Sequence, residues 1–491
     1  MKNNSNVSSG SIRDIFAKMK PRAVPQKTSN SWTTVRRNPS FYFTDTERIT
    51  SLVNGGDPDS IIELSRFFFD TNGLYRRIIL YFSTMLTYDT FVVPKFLDKV
   101  PDKESFTRNF SKVLAFLDSS NLMQELSRIV TVMLIEGAYY GLIYNKPLGG
   151  VIFADLPRRY CRTRFRSNNG NQLLEFDVTY FTTIVEEDKK RLILDNFPES
   201  IREFYNAWKE GKTLSSWYLC QEDEAVAFVC ELDGNSSTYS LPFFAQIIPS
   251  ISRFKDYEKV DLEAVQNELR KLIINKIPLD KEGELLFDLE EVKEIHNGVA
   301  EMLKDNEHVD VVTTFCDTEV ASLGSSNEAV RSDLESISQL VYSEAGISKQ
   351  LFNNTSAVSI NYSIQNDLAL VINLIKPIEN WLTFTVNRRF NRNEDFFYGV
   401  SILPISHYNR GEMSKLYLQG AQYGYSKFLA GVSLGIKQSD LIALTTIEED
   451  FFDLTNRMTP LQSSHTMTTE SGPQKPIEEL SPETIENKES S

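Results

Sequence analysis

The sequence is poor in the residues that do chemistry. It has four cysteines and four histidines in 491 residues. Cys161, Cys220, Cys230 and Cys316 are scattered, with no CxxC pair, and read as free thiols of a reducing compartment. His296, His308, His407 and His465 fall into no HExxH or similar ligand spacing. There is no GxxxxGK[ST] or GxGxxG loop to cradle a phosphate, and no GxSxG elbow to expose a serine. These gaps argue against an enzyme and against any cofactor or resident metal. Long apolar runs are also missing. Ile129 to Tyr144 comes nearest to a span, but Glu136, Gly137 and Gly141 interrupt it, so no membrane association is expected. The first residues lack the apolar stretch of a secretory signal, which places synthesis in the cytoplasm.

Positive charge is scarce as well. With 52 Lys and Arg against 67 Asp and Glu, the chain carries −15, which opposes tight nonspecific binding of nucleic acid by charge alone. The distribution is uneven. Residues 1–40 hold eight Lys or Arg against Asp14 alone, a net of +7 that leaves −22 for the rest. They read as a disordered basic arm with one short amphipathic helix, where Ile12, Ile15, Phe16 and Met19 share a face. Beyond Pro460 the chain is rich in Ser, Thr, Glu and Pro and reads as a disordered acidic tail.

Between these ends the pattern is α+β and predominantly helical. Order is expected to begin near Ser60, with helices through Ile61–Phe68 and Tyr75–Leu86, then 106–117 and 122–135. From Ala138 the period shortens to two. Strands are expected at 140–144, 151–153 and 173–178, with Asn169-Gly170 as a hairpin turn, and again at 216–220 and 225–232. Helix returns over 241–272, broken or kinked by Pro249. A strand (272–277), a helix capped by Asp288 (288–303) and a strand (309–316) follow, then a helix over 328–344. A long helix is expected over 359–390 with a kink at Pro377, then a strand at 396–402 and helices over 411–428 and 441–454.

Three blocks carry a family resemblance. They are Ile62-Glu-Leu-Ser-Arg-Phe-Phe-Phe-Asp-Thr-Asn-Gly-Leu-Tyr-Arg-Arg77, continuing to Met85-Leu-Thr-Tyr-Asp89; Val311-Val-Thr-Thr-Phe315, followed by Glu344-Ala-Gly-Ile-Ser-Lys-Gln-Leu-Phe-Asn-Asn354; and Met458-Thr-Pro-Leu-Gln-Ser-Ser-His465. In that order and spacing the chain resembles the portal (head–tail connector) proteins of tailed bacteriophages. The resemblance implies a portal fold of wing, stem, clip and crown. Residues 41–240 would be the first part of the wing, 241–271 and 323–346 the two stem helices, and 272–322 the clip between them. Residues 347–358 would be the tunnel loop, 359–405 the long kinked helix with a wing strand, and 406–460 a helical crown.

The resemblance further implies a homo-oligomeric ring of about twelve subunits at one capsid vertex. Double-stranded DNA would pass its bore during packaging and ejection. The terminase large subunit would dock first and neck or adaptor proteins later, with major capsid and scaffold proteins around the ring. The protein would end in the virion, after a stage in the host cytoplasm. Within this frame Asn353, Asn354, Thr355 and Ser356 are candidates for touching DNA in the channel. Lys271 and Lys276 bracket the way into the clip and are candidates for motor docking. Arg158, Arg159, Arg162, Arg164 and Arg166 crowd one strand-like stretch and suit contact with DNA or with a neighbouring subunit. Two alternatives stand beside the portal. One is a carboxylate-metal nucleic-acid-processing enzyme, using the acids Glu294, Asp305, Glu307 and Asp310 around His296 and His308. The other is a different virion structural protein, an adaptor or minor head protein.

Overall fold

The computed structural model describes residues 45–96, 102–146, 149–230, 240–269, 271–276, 288–302, 309–314, 337, 339–347, 357–391 and 396–457. The chain divides into two units, Met1–Gly435 and Ile436–Ser491. The first is a mixed helix-and-sheet body. Helix α1 (Thr46–Gly55) starts where the Asp45 carboxylate accepts the Glu47 N–H, ahead of the expected start at Ser60. Helix α2 (Pro58–Thr71) follows an Asp57 cap with proline in its first turn. Helix α3 (Gly73–Ser83) is capped by Asn72, whose side chain accepts the Tyr75 N–H at 2.9 Å.

The sequence pattern missed strand β1 (Thr90–Lys95), hidden by Pro94; the strand pairs with residues more than 300 positions away. Helices α4 (Lys103–Ser119) and α5 (Leu122–Glu136) lie close to expectation. Helix α5 stops at Gly137, which has φ +80° and whose N–H returns to Met133 O. A Cβ there would meet the Leu241 carbonyl at 2.5 Å, so both the turn and the close approach demand glycine.

Strands β2 (Ala138–Asn145), β3 (Val151–Asp155), β4 (Cys161–Arg166) and β5 (Gln172–Asp177) come next. Gly170, at φ +82°, makes the expected turn between the last two. Helices α6 (Glu187–Asn196) and α7 (Glu199–Lys209) were both missed, α6 because it buries no residue, α7 despite a legible apolar stripe of Ile201, Phe204, Tyr205 and Trp208. Strands β6 (Trp217–Leu219) and β7 (Ala225–Val229) complete two sheets, β3-β2-β7 and β4-β5-β6.

The first of these sheets is a wall between two cores. Along β2, Tyr139 and Ile143 enter a core built with α2 to α5, while Ala138, Tyr140 and Leu142 enter a second core with β5 and α7. Strand β7 divides likewise, Val226 and Phe228 to one side and Ala225, Ala227 and Val229 to the other. Both faces are therefore apolar, as for any strand covered on two sides. Across the first core, Ser65 on α2 donates to Ile135 O at 2.7 Å and bonds the Tyr75 hydroxyl at 2.8 Å, which locks α2, α3 and α5 together.

Helix α8 (Ile248–Leu269) starts later than expected. Residues 245–247 form only a short 3-10 turn, and Pro249 sits in the first turn of the helix rather than breaking it. Strand β8 (Lys271–Lys276), helix α9 (Leu289–Met302) and strand β9 (Val309–Thr314) reproduce the expected strand–helix–strand unit. Residues 339–344 are helical. Helix α10 (Ala357–Phe390) contains Pro377, and β10 (Phe397–Ile402) pairs antiparallel with β1. The single helix expected over 411–428 is two, α11 (Arg410–Gln422) and α12 (Lys427–Ser433), parted at Gly424 with φ +95°. The second unit contains α13 (Gln438–Thr446), a π-helical turn over Ile447–Phe451, and α14 (Leu454–Arg457). Among the described residues no helix is long and apolar enough to cross a membrane.

Candidate functional site

The strand–helix–strand unit is the most distinctive local arrangement. Strands β8 and β9 are parallel, in register from Lys271 opposite Val309 to Lys276 opposite Thr314. Parallel neighbours need a crossover, and α9 supplies it. That helix starts after Asp288, whose N–H donates to Glu291 Oε2 at 3.2 Å and whose backbone C=O accepts the first helical N–H, that of Val292, at 3.0 Å. The unit follows α8, roughly 33 Å long, and precedes α10, roughly 50 Å long, at 1.5 Å per residue. Lys271 and Lys276 are the first and last residues of β8. Asn353, Asn354, Thr355 and Ser356 lie outside the described residues, directly before α10 begins at Ala357.

Helix α10 docks on the body through a feature that the sequence reading missed. Three residues at four-residue spacing, Glu379, Thr383 and Asn387, satisfy the outer edge of β10. Asn387 donates to Tyr398 O (2.7 Å) and accepts the Tyr398 N–H (2.9 Å). Thr383 Oγ1 donates to Val400 O (3.2 Å) and accepts the Val400 N–H (3.0 Å). Glu379 Oε1 accepts the Ile402 N–H at 2.6 Å. Burial raises the Glu379 carboxyl above its ordinary range, against the pull of that N–H and of Lys376. A helix face thus takes the place of a third strand. In the sequence they are polar residues at i, i+4 and i+8 among other polar positions of the same helix, such as Asn373, Lys376 and Asn380.

The arginine stretch divides: Arg158 and Arg162 turn inward, while Arg159, Arg164 and Arg166 reach solvent. Arg158 is 3% exposed; it donates to Cys161 O (3.3 Å) and Ser240 O (3.1 Å), and its guanidinium lies over the Tyr140 ring. Arg162 and Arg164 share the buried Glu175 on β5, at 2.9 and 2.6 Å, and Arg162 also stacks on Trp217 at 3.6 Å. Burial pushes the Glu175 carboxyl up, but the hydrogen bonds and charges of Arg164 and Arg162 outweigh it and hold the group below its ordinary value. Arg159 stands 3.8 Å from Asp59 with its side chain mostly exposed, and Arg166 is exposed at the end of β4. The structure therefore does not bring the five together as one surface.

Of the metal-site alternative, Glu294 lies on α9 and Asp310 on β9. His296 is half-buried on α9, whereas Asp305, Glu307 and His308 lie outside the described residues. Among the described residues no group of three or more His, Cys, Asp or Glu is placed to hold a metal ion. Burial pushes the thiols of Cys161 and Cys220 well up, away from nucleophilic character.

No family model matches the chain. No curated protein matches it either. Among solved structures, it is similar to a chain from the "Virion of native gene transfer agent (GTA) particle", with a TM-score of 0.41 and 10% identity, over 77% of this chain and 93% of that one. A likeness at that score does not establish a shared fold.

Proposed function

We propose that this chain is a portal subunit, one member of a ring through which double-stranded DNA enters and leaves a capsid. The observation that carries the reading is the parallel strand–helix–strand unit set between α8 and the helical residues 339–344, followed by the 34-residue α10. On this reading α8 is a stem helix, the β8–α9–β9 unit is the clip that meets the packaging motor, and α10 is the helix tying the stem to the wing. The ordered sequence blocks support the same assignment. The role requires no catalysis by the chain itself, so an ATP-driven partner supplies the work.

The charge fits the task. DNA in such a bore must be held near the axis and still slide. Each phosphate neutralised by Lys or Arg releases counterions, and that gain must be undone at every step. A subunit of −15, repeated around a ring, repels the duplex evenly instead.

Single-particle imaging of the purified chain tests the proposal. Rings of about twelve subunits with an open bore wide enough for a duplex are the expected result. A compact closed oligomer with no bore overturns it. Metal-dependent DNA cleavage lost on changing Asp305 and Asp310 would transfer the assignment to the nuclease alternative.

A further inference from the structure

Strand β7 has an open edge inside the body. Its partner β2 is fixed by the Cys230 N–H donating to Gly137 O and the Ile143 N–H donating to Glu224 O. In an antiparallel ladder these bonds alternate, so Val226 and Phe228 turn their main-chain groups to β2, and Ala225, Ala227 and Val229 turn theirs away. The Ala225 N–H is taken by Gln221 O. The N–H and C=O of Ala227 and Val229 meet no partner among the described residues, although the two residues are only 5% and 7% exposed. Unpaired peptide groups in such surroundings cost on the order of 1–3 kcal/mol each.

A cavity of about 450 Å³ runs along this edge, bounded by β7, the start of β5 and α10 around Pro377. Three buried polar atoms on its lining residues have no partner: Trp381 Nε1, Asn171 Nδ2 and Glu222 Oε1. Trp381 is 4% exposed and Asn171 8%. Asn171 is held by Asn380, whose amide donates to Asn171 Oδ1 at 2.8 Å and leaves the Asn171 amide N–H groups to the cavity. Pro377 has no N–H, so the Asn373 carbonyl on the same wall lacks its helical donor. Main-chain pairs at Ala227 and Val229, roughly 7 Å apart, share the cavity with amide and indole donors, the Glu222 carboxylate and Lys376, a mixed lining that suits an extended peptide.

We infer that residues 31–37 of this chain, Ser-Trp-Thr-Thr-Val-Arg-Arg, add to the edge of β7 as a further strand, whichever copy of the chain supplies them. The segment lies outside the described residues; its sequence is the argument. Phe41 to Thr44 form one strand-favouring run, but Asp45 follows it; Trp32 to Val35 are four successive such residues inside the basic arm. Arg36 and Arg37 follow directly, and the turn before β7 is acidic, with Glu222, Asp223 and Glu224. This inference does not depend on the portal assignment.

Hydrogen exchange on the full-length chain tests it. Thr34→Pro and Val35→Pro each remove one N–H, and because the two residues are adjacent, one of them removes a ladder donor whichever way the strand faces. Both changes lie in the arm and leave the body's sequence intact. The amides of Ala227 and Val229 are expected to be protected in the wild-type chain. They should exchange about tenfold faster or more in at least one variant, while those of β2 are unchanged. A synthetic peptide of residues 30–38 added to that variant should restore the protection. Equal exchange at Ala227 and Val229 in wild type and both variants overturns the inference, and so does failure of the peptide to restore protection.

Discussion

Replacing Glu175 by alanine isolates the energetics of the arginine stretch. The carboxylate is 5% exposed as a side chain, and its two partners differ: Arg162 is 16% exposed and Arg164 45%. Removing the acid leaves one guanidinium nearly buried without a counter-charge and another able to turn to water. Breaking a buried pair costs about 3–5 kcal/mol, and because only Arg162 is trapped the lower end applies, about 3 kcal/mol. With a urea slope of about 3 kcal/mol per molar or more for a unit of this size, the midpoint falls by up to about 1 M. Trp217, stacked under Arg162, reports that transition by fluorescence. The pH dependence has a definite sign. The Glu175 carboxyl titrates below its ordinary value of 4.5 when folded, so its contribution is complete above that value and is lost as pH falls through the folded one. The gap between wild type and Glu175→Gln should therefore narrow below about pH 4. A midpoint shift under about 0.3 M for Glu175→Ala would mean that the pair behaves like a surface ion pair, and would refute the reasoning.

Three other perturbations follow from the same structure. Gly137→Ala forces a Cβ into the Leu241 carbonyl at a left-handed φ and should cost on the order of 3 kcal/mol, seen as a lowered urea midpoint. Asn387→Leu removes both bonds to Tyr398 and should cost about 2 kcal/mol, with the Tyr398 amide exchanging faster and the β2 amides unchanged. Burial raises the Asp367 carboxyl, opposed by the Tyr81 hydroxyl at 2.8 Å, so native protein holds that proton more tightly and loses stability as pH climbs through the folded value. Asp367→Asn should thus gain on wild type between pH 4 and pH 7 in paired urea titrations, and a constant difference would contradict the assignment.

Elements whose own residues stated their burial were legible in the sequence. The strand–helix–strand unit, α10 with Pro377, and the hairpin at Gly170 all carry local signals: an apolar period, a cap or a left-handed turn. What stayed hidden depends on distant partners. Strand β1 exists because β10 pairs with it across some 300 residues, which no local window contains. Helix α6 buries nothing, so it has no stripe to read. Pro249 looked like a break because its position within the helix was unknown, and a proline in the first turn breaks nothing. The polar side chains at Glu379, Thr383 and Asn387 carry no local mark of a partner, yet they are the contacts that seat the helix on β10.

The arginine stretch shows how packing divides a cluster that composition presents as one. Five arginines within nine residues suggest a surface that grips phosphate. Arg158 is instead spent on two carbonyls and an aromatic ring, and Arg162 and Arg164 on one buried acid. Cations held this way are not available to displace counterions from DNA, so they add nothing to a clamp. For a subunit proposed to line or frame a channel, that is the favourable arrangement. Arg162 and Arg164 tie β4 to β5 through Glu175, while Arg159 and Arg166 remain exposed.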